Sequence, residues 1–272
     1  MTKANLYSAP KPTRKTPQVF DHSAFYSTIR PTDVFLCSYP KSGTTWLGYL
    51  IAQTLRREDD NLRLGLNSFN KYVPDVNLAY TRRGSLAPHI ELSDPRFFLC
   101  HAAYDANFPK VIYMIRDPRD TMVSYWHYRK FLSPDFNMSL TDFLSSDDHW
   151  PCDWDEHVSS WLLSRSHPNL LLVRYEELHK DAAAVLRKVL EFAGVNQSSE
   201  KIESAVEASR FENMRAAEER FGVIGKAGDE NERFVRKGRV GSWQEEMGYS
   251  DLRILEEKYG DVMRQVGYTP LS

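Results

Sequence analysis

The octet Tyr39-Pro-Lys-Ser-Gly-Thr-Thr-Trp46 gathers one cation, three small hydroxyls and a glycine into a single short stretch. Val34, Phe35 and Leu36 form an apolar run before it, and Trp46, Leu47, Leu50, Ile51 and Leu55 recur at helical spacing after it. The pattern predicts a strand, a tight turn and a helix opening at Thr44 or Thr45. Such a turn directs unpaired backbone N–H groups and the positive end of a helix dipole at one point, where Lys41, Ser42, Thr44 and Thr45 add side-chain donors. A phosphate or sulfate suits that point. An ordinary strand-to-helix connection with a surface lysine is the other reading of the octet alone. The strict pattern G-x-x-x-x-G-K-[ST] is absent, because the lysine precedes the glycine, so the loop is P-loop-like at most.

Three further groups have the types and positions for chemistry. Arg116 follows the apolar run Val111 to Ile115, with Ser124 about two turns into the helix that begins after it. Taken alone, an arginine beside Asp117 and Asp120 also reads as a structural ion pair. The stretch Phe234 to Trp243, FVRKGRVGSW, interleaves Arg236, Lys237 and Arg239 with Gly238 and Gly241, so flexible cations and backbone donors can close on an anion together. A plain basic surface loop is its alternative. His101 ends the run Phe97 to Cys100; an imidazole there is either a satisfied structural group or a proton acceptor working near neutral pH.

The elements that must hold these groups alternate between strand and helix. Phe97 to Cys100, Val111 to Ile115 and Asn169 to Tyr175 read as buried strands, and the Leu-Leu-Leu-Val run of the last suits the centre of a parallel sheet. Asp117 as N-cap with Pro118 behind it marks one helix start, and Ser139 with Asp142 another. Asp153 or Asp155 opens a third helix; others are expected over about 181–193, ended by Gly194, and over roughly 199–209, 211–217 and 250–266. Residues 61 to 92 lack periodicity and suit a binding loop or a packed crossover. The expected fold is α/β, a three-layer α/β/α arrangement around a central parallel sheet, with functional side chains beyond the carboxyl ends of its strands. Residues 1–20, with three prolines among cations, are expected to be a mobile arm, and residues 21–272 one domain.

Composition narrows the function classes. A net charge of −2 over 272 residues and a pI near 6.5 argue against a broad nucleic-acid surface, so any anion site is local. No apolar run reaches the roughly eighteen residues of a membrane span, and no signal peptide is visible, which points to a cytoplasmic protein. Cys37, Cys100 and Cys152 are scattered without metal-ligand spacing, so neither disulfides nor a metal site is expected.

The three anion-binding stretches closely resemble, in order, those of cytosolic-type sulfotransferases that use 3′-phosphoadenosine 5′-phosphosulfate (PAPS). YPKSGTTW resembles their 5′-phosphosulfate loop, IRDPRDTMVSYWHY their 3′-phosphate helix, and RKGRVGSW their R-K-G-x-x-G-x-W signature. The resemblance implies that Lys41, Ser42, Gly43, Thr44 and Thr45 hold the phosphosulfate and that Arg116, Ser124, Arg236, Lys237 and Gly238 hold the 3′-phosphate. It also implies that Trp46 and Phe211 sandwich the adenine, with Ser209 and Tyr175 as its hydrogen-bonding partners. PRFFLCH matches the frame that ends in the family's general base, which makes His101 the base and Lys41 the charge stabiliser at the departing group. Leu99 stands where some members carry a helping lysine, and Ser242 and Gln244 replace the usual Asp and Lys around the tryptophan. The Thr-Val dimerisation signature is missing after Trp243, which leaves monomer and homodimer both open.

The expected activity is therefore sulfuryl transfer to a hydroxyl or amine of a small-molecule acceptor. A nucleotide kinase or NTPase, and a non-catalytic nucleotide-binding protein, are the alternatives. Phe25, Tyr72, Tyr80, Trp150 and Trp154 are the candidate acceptor-pocket walls, and Asp147, Asp148, Asp153 and Asp155 beside the tryptophans could attract a cationic acceptor.

Overall fold

The computed structural model describes residues 26–57, 64–76, 94–223 and 231–269. The expected arm over residues 1–20 and the pocket candidates Phe25 and Tyr80 lie outside the described residues. Four parallel strands, β1 (Val34–Ser38), β2 (Phe97–Cys100), β3 (Lys110–Ile115) and β4 (Leu170–Arg174), form one sheet in the order β2-β1-β3-β4. Alternation along each strand divides the core in two, because successive side chains point to opposite faces. Phe35, Cys37, Phe98, Val111 and Tyr113 face one cluster, and Val34, Leu36, Phe97, Leu99 and Ile112 face the other.

Helices cover both faces, as an all-parallel sheet requires. The first cluster takes Met122, Val123 and Tyr125 of α2 (Pro118–Leu132), Leu140 and Phe143 of α3 (Leu140–Ser145), Val158 and Trp161 of α4 (Trp154–Leu162), and Leu255, Tyr259 and Met263 of the last helix, α9 (Tyr249–Gln265). The second takes Leu47, Leu50 and Ile51 of α1 (Thr44–Leu55), with residues of α6 (Ala182–Ala193), α7 (Ser199–Ala208) and α8 (Phe211–Phe221). The three layers and parallel sheet expected from the sequence are present. The expected caps hold too: the Asp117 carboxylate accepts from the Arg119 N–H at 2.9 Å, Ser139 Oγ from Asp142 N–H at 3.1 Å, and Gly194 ends α6 in the left-handed region.

Two expectations are corrected. Among the described residues β4 is an edge strand and not a central one. Its apolar run reflects cover above and below, with Leu170 and Leu172 against one cluster and Leu171 and Val173 against the other. Tyr175, expected as the end of that strand, instead opens a short helix, α5 (Tyr175–Lys180). Within the irregular segment expected over 61–92, residues 64–76 contain a single 3-10 turn at Phe69–Lys71 and a parallel bridge between Asp75 and Leu99. Among the described residues no helix is long and apolar enough to cross a membrane.

Candidate active site

The carboxyl ends of the four strands deliver the chemistry-bearing residues to one side of the sheet. Ser38 leads into the Lys41 turn, Cys100 into His101, Ile115 into Arg116 and Arg174 into Tyr175. They open on a cavity of about 640 Å³. Lys41, Gly43, Thr44, Thr45, Trp46, His101, Arg116, Ser124, Tyr175, Ser209, Phe211, Arg236, Lys237 and Gly238 all line it. Segments separated by nearly two hundred residues in sequence therefore converge as the motif order implied.

The turn at the centre is built on two left-handed residues, Lys41 at φ 70° and Gly43 at φ 104°. A Cβ on Gly43 would come within 2.6 Å of the Tyr175 ring, so glycine is required both for the backbone angle and for the close approach. No side chain caps α1, and its leading N–H groups are left to the turn. The Lys41 ammonium lies 4.0 Å from the centre of the Tyr128 ring and 4.0 Å from that of Phe234. Burial, reinforced by the positive charges of Arg116 and Arg236, pulls its pKa down to about 7.

Arg116 lies over Tyr175, with its guanidinium carbon 4.0 Å from the ring centre. It donates to the carbonyls of Lys41 and Arg239 and pairs with Asp120 at 3.6 Å. The R-K-G stretch is fastened from two sides. Asp120 accepts from the N–H of Gly241 at 2.7 Å, from Ser242 Oγ at 3.1 Å and from the N–H of Trp243 at 3.0 Å. Glu218 accepts from the N–H groups of Phe234 and Val235 at 2.9 and 2.8 Å. Ser242, which stands in place of the usual Asp, is thereby buried and satisfied. Arg236 and Lys237 pair with Glu246 at 2.5 and 2.6 Å. Burial opposes ionisation of Glu246, but hydrogen bonds from Lys237 and His127 and the charge of Arg236 hold its carboxyl down to about 2.

Three buried potential donors around this cavity lack partners, Ser42 Oγ, Arg116 Nε and Ser209 Oγ, as does the acceptor Asn70 Oδ1. Buried donors are normally satisfied, so three unsatisfied ones in a single region suit a ligand rich in acceptor oxygens and nitrogens. Trp46 Nε1 donates to the Ser209 carbonyl at 3.0 Å, which ties α1 to the residue that ends α7, two before α8 begins. Phe211 stands at the start of α8, packed so closely on Gly238 that any Cβ there would collide with its ring.

His101 Nδ1 donates to the Ser38 carbonyl at 2.8 Å. That bond fixes the tautomer and leaves Nε2 with the lone pair, the state needed to accept a proton. The neighbouring His157 is buried, with the Tyr113 hydroxyl donating to Nδ1 at 2.9 Å and Nε2–H donating to the Ala102 carbonyl at 3.0 Å. Burial and then the nearby His101 push its pKa down to about 3, so it stays neutral and structural.

The family described as "Sulfotransferase domain" matches residues 31–267. The chain belongs to that sulfotransferase family. It is 27% identical over 248 residues to human Sulfotransferase 2B1, covering 87% of this chain and 67% of the relative. It is 26% identical over 250 residues to the 3-alpha-hydroxysteroid sulfotransferase of Cavia porcellus, covering 89% and 86%. The crystal structure of mouse sulfotransferase SULT7A1 complexed with PAP superimposes with a TM-score of 0.63 at 26% identity, covering 89% of this chain and 87% of that one.

On this sulfotransferase scaffold the acceptor-pocket expectations fare unevenly. Trp150 lines the cavity, with its ring centre 6.0 Å from that of His101. Trp154 does not: it is 0% exposed, in the core against Tyr259, because it opens α4 on the face that turns towards α9. Tyr72 packs partly buried against the second core cluster and is also absent from the cavity wall. The acidic loop is engaged elsewhere, with Asp148 on Arg129 at 3.0 Å and Asp153 on His149 and Lys258. Tyr128, Phe234, Asn70 and Asp75 line the cavity without having been singled out. The first two sat inside motif stretches quoted only for their polar residues, and the other two lie in the segment that lacks periodicity.

Proposed function

We propose that this sulfotransferase moves the sulfuryl group of PAPS to a hydroxyl or amine of a small-molecule acceptor, with His101 as general base. His101 Nε2 takes the proton as the acceptor heteroatom attacks sulfur. The new bond to sulfur forms in line with the breaking bond to the bridging oxygen, and that electron pair leaves on the 5′-phosphate of 3′-phosphoadenosine 5′-phosphate (PAP). Lys41 and the N–H groups at the start of α1 meet the charge that grows there. Arg116, Ser124, Arg236, Lys237 and Gly238 are assigned to the 3′-phosphate, and Trp46, Phe211, Ser209 and Tyr175 to the adenine. The reaction is placed in the cytoplasm.

One observation carries this reading. A histidine with a fixed proton-accepting nitrogen shares a cavity with a cationic cluster and the unpartnered donors of Arg116 and Ser209, while Ser42, also unpartnered, is buried in the turn behind the wall. The test is titration with PAP by calorimetry, followed by mass-spectrometric detection of sulfonated acceptors. Wild type is expected to bind PAP and transfer sulfate. His101→Ala is expected to keep nucleotide binding and to lose about 10² to 10⁴ in turnover. Absence of PAP binding, or turnover unchanged in the variant, overturns the assignment.

A further inference from the structure

His101 is tied to the Lys41 turn through side chains as well as through the backbone. Ser38 closes β1, is 0% exposed, and brings two oxygens to the imidazole: its carbonyl accepts from His101 Nδ1 at 2.8 Å, and its hydroxyl lies 3.4 Å from the same nitrogen. The Ser38 hydroxyl is also hydrogen-bonded to Thr44 Oγ1, on the far side of the turn. Thr44 is the first residue of α1, and it lines the cavity together with His101. Imidazole, serine and threonine therefore form one chain of polar groups that runs from the candidate base to the start of the anion loop.

Counting protons gives this chain a direction. His101 Nδ1 carries a hydrogen, because the Ser38 carbonyl 2.8 Å away can only accept. Ser38 Oγ is the second acceptor for that N–H, and the serine's own proton then points to Thr44 Oγ1. The reverse order would set the serine O–H against the imidazole N–H, two hydrogens in one contact. Thr44 thus accepts from Ser38 and keeps one proton of its own. Among the described residues its hydroxyl has no second partner, so that proton is left for an acceptor in the cavity. An oxygen of a phosphate or phosphosulfate at the start of α1 meets that need.

Resting on the sulfotransferase reading above, we propose that Ser38 is a positioning residue that couples the base to the occupied loop: His101 Nδ1–H donates to Ser38 Oγ, Ser38 O–H to Thr44 Oγ1, and Thr44 O–H to an oxygen at the 5′ end of the bound nucleotide. No proton travels along this chain. The acceptor's proton goes to His101 Nε2, and the positive charge that forms on the ring is stabilised by aligned dipoles that end on an anion. Hydrogen bonds in series strengthen one another, and the more so where water is excluded; Thr44 is only 3% exposed. With the loop empty the terminal hydroxyl has no anion to meet, and the chain lacks that bias. Arrival of the sulfuryl donor therefore readies the base before the acceptor reacts.

The test follows the imidazole Nδ1–H resonance of His101 by NMR in the full chain labelled with nitrogen-15 histidine, the signal being assigned by its loss in His101→Ala. PAP is the probe, because it keeps the 5′-phosphate and needs no acceptor. Saturating PAP is expected to move the wild-type resonance downfield as the chain gains its anionic end. Ser38→Ala keeps the carbonyl that anchors the ring but removes the middle link; it is expected to bind PAP and to lose most of the shift. Ser38→Thr restores a hydroxyl and is expected to regain it. Thr44→Val breaks the far link, is expected to lose the shift at saturating PAP as well, and stands in for Ser38→Ala should that variant fail to fold. A shift of wild-type size in either broken chain, or a wild-type resonance that bound PAP leaves in place, overturns the proposal while the sulfotransferase reading stands. Failure of the wild type to bind PAP sinks the parent reading instead.

Discussion

Lys41 is held in a left-handed backbone conformation, at φ 70°, that costs a non-glycine residue about 1–2 kcal/mol. The conformation aims its ammonium between the rings of Tyr128 and Phe234, close to Arg116 and Arg236. Burial and those two cations leave it titrating near 7. An arriving phosphate or sulfate reverses that balance, because an adjacent anion favours the charged amine. Nucleotide binding should therefore take up a proton on Lys41, and affinity should fall as pH rises from about 7 towards the higher pKa of the bound state. Calorimetry of PAP binding at pH 8, in buffers of different ionisation enthalpy, is expected to show uptake approaching one proton. Lys41→Met should abolish most of that uptake. Equal uptake in the variant would place the titrating group elsewhere. Little of this was legible in the sequence, since the octet showed a lysine suited to an anion but its aromatic cradle comes from residues 128 and 234.

Among the elements, the pairing of α2 with the R-K-G stretch decides whether an anion site exists at all. Asp120 is 1% exposed, and its two oxygens accept from Gly241, Ser242 and Trp243 while the carboxylate faces Arg116. Removing it strands two backbone N–H groups and the partner of a buried guanidinium. Asp120→Ala is expected to cost about 3 kcal/mol in urea denaturation and to weaken PAP binding at least tenfold. Asp120→Asn keeps an acceptor and should cost less on both measures. Loss of stability with unchanged PAP affinity would show that the loop is positioned by Glu218 and the Glu246 pairs without this clasp. The sequence offered Asp120 as an ion-pair partner of Arg116 but not as the clasp of the R-K-G stretch, because those partners lie more than a hundred residues away. The starts of the helices themselves were readable, since Asp117, Ser139 and Asp181 cap through contacts two or three residues distant. Trp154 shows the opposite limit: its type suited a pocket wall, and only the packing of α4 against Tyr259 places it in the core.

For the whole molecule, the functional side of the sheet depends on a helix that contributes nothing to the cavity wall. The last helix, α9, buries Leu255, Tyr259 and Met263 in the cluster that backs α2, α3 and α4. Beyond it, the Val266 carbonyl accepts from Arg174 at 2.5 Å and the Tyr268 hydroxyl donates to Glu176 at 3.0 Å, so the chain closes over the end of the edge strand β4. This closure is part of how an edge strand carries an apolar run on both faces, a feature that composition alone assigned to the sheet centre. Burial of a side chain of this size is worth about 1.5–3 kcal/mol, so three of them contribute an amount comparable with the roughly 5–15 kcal/mol that keeps a domain folded. Truncation after Gly248 should therefore abolish cooperative unfolding, expose apolar surface to a hydrophobic dye and eliminate PAP binding, although the cavity-lining residues described above all remain in the shortened chain. A truncated chain that still melts cooperatively and binds the nucleotide would show that the strands and α2 hold the site unaided.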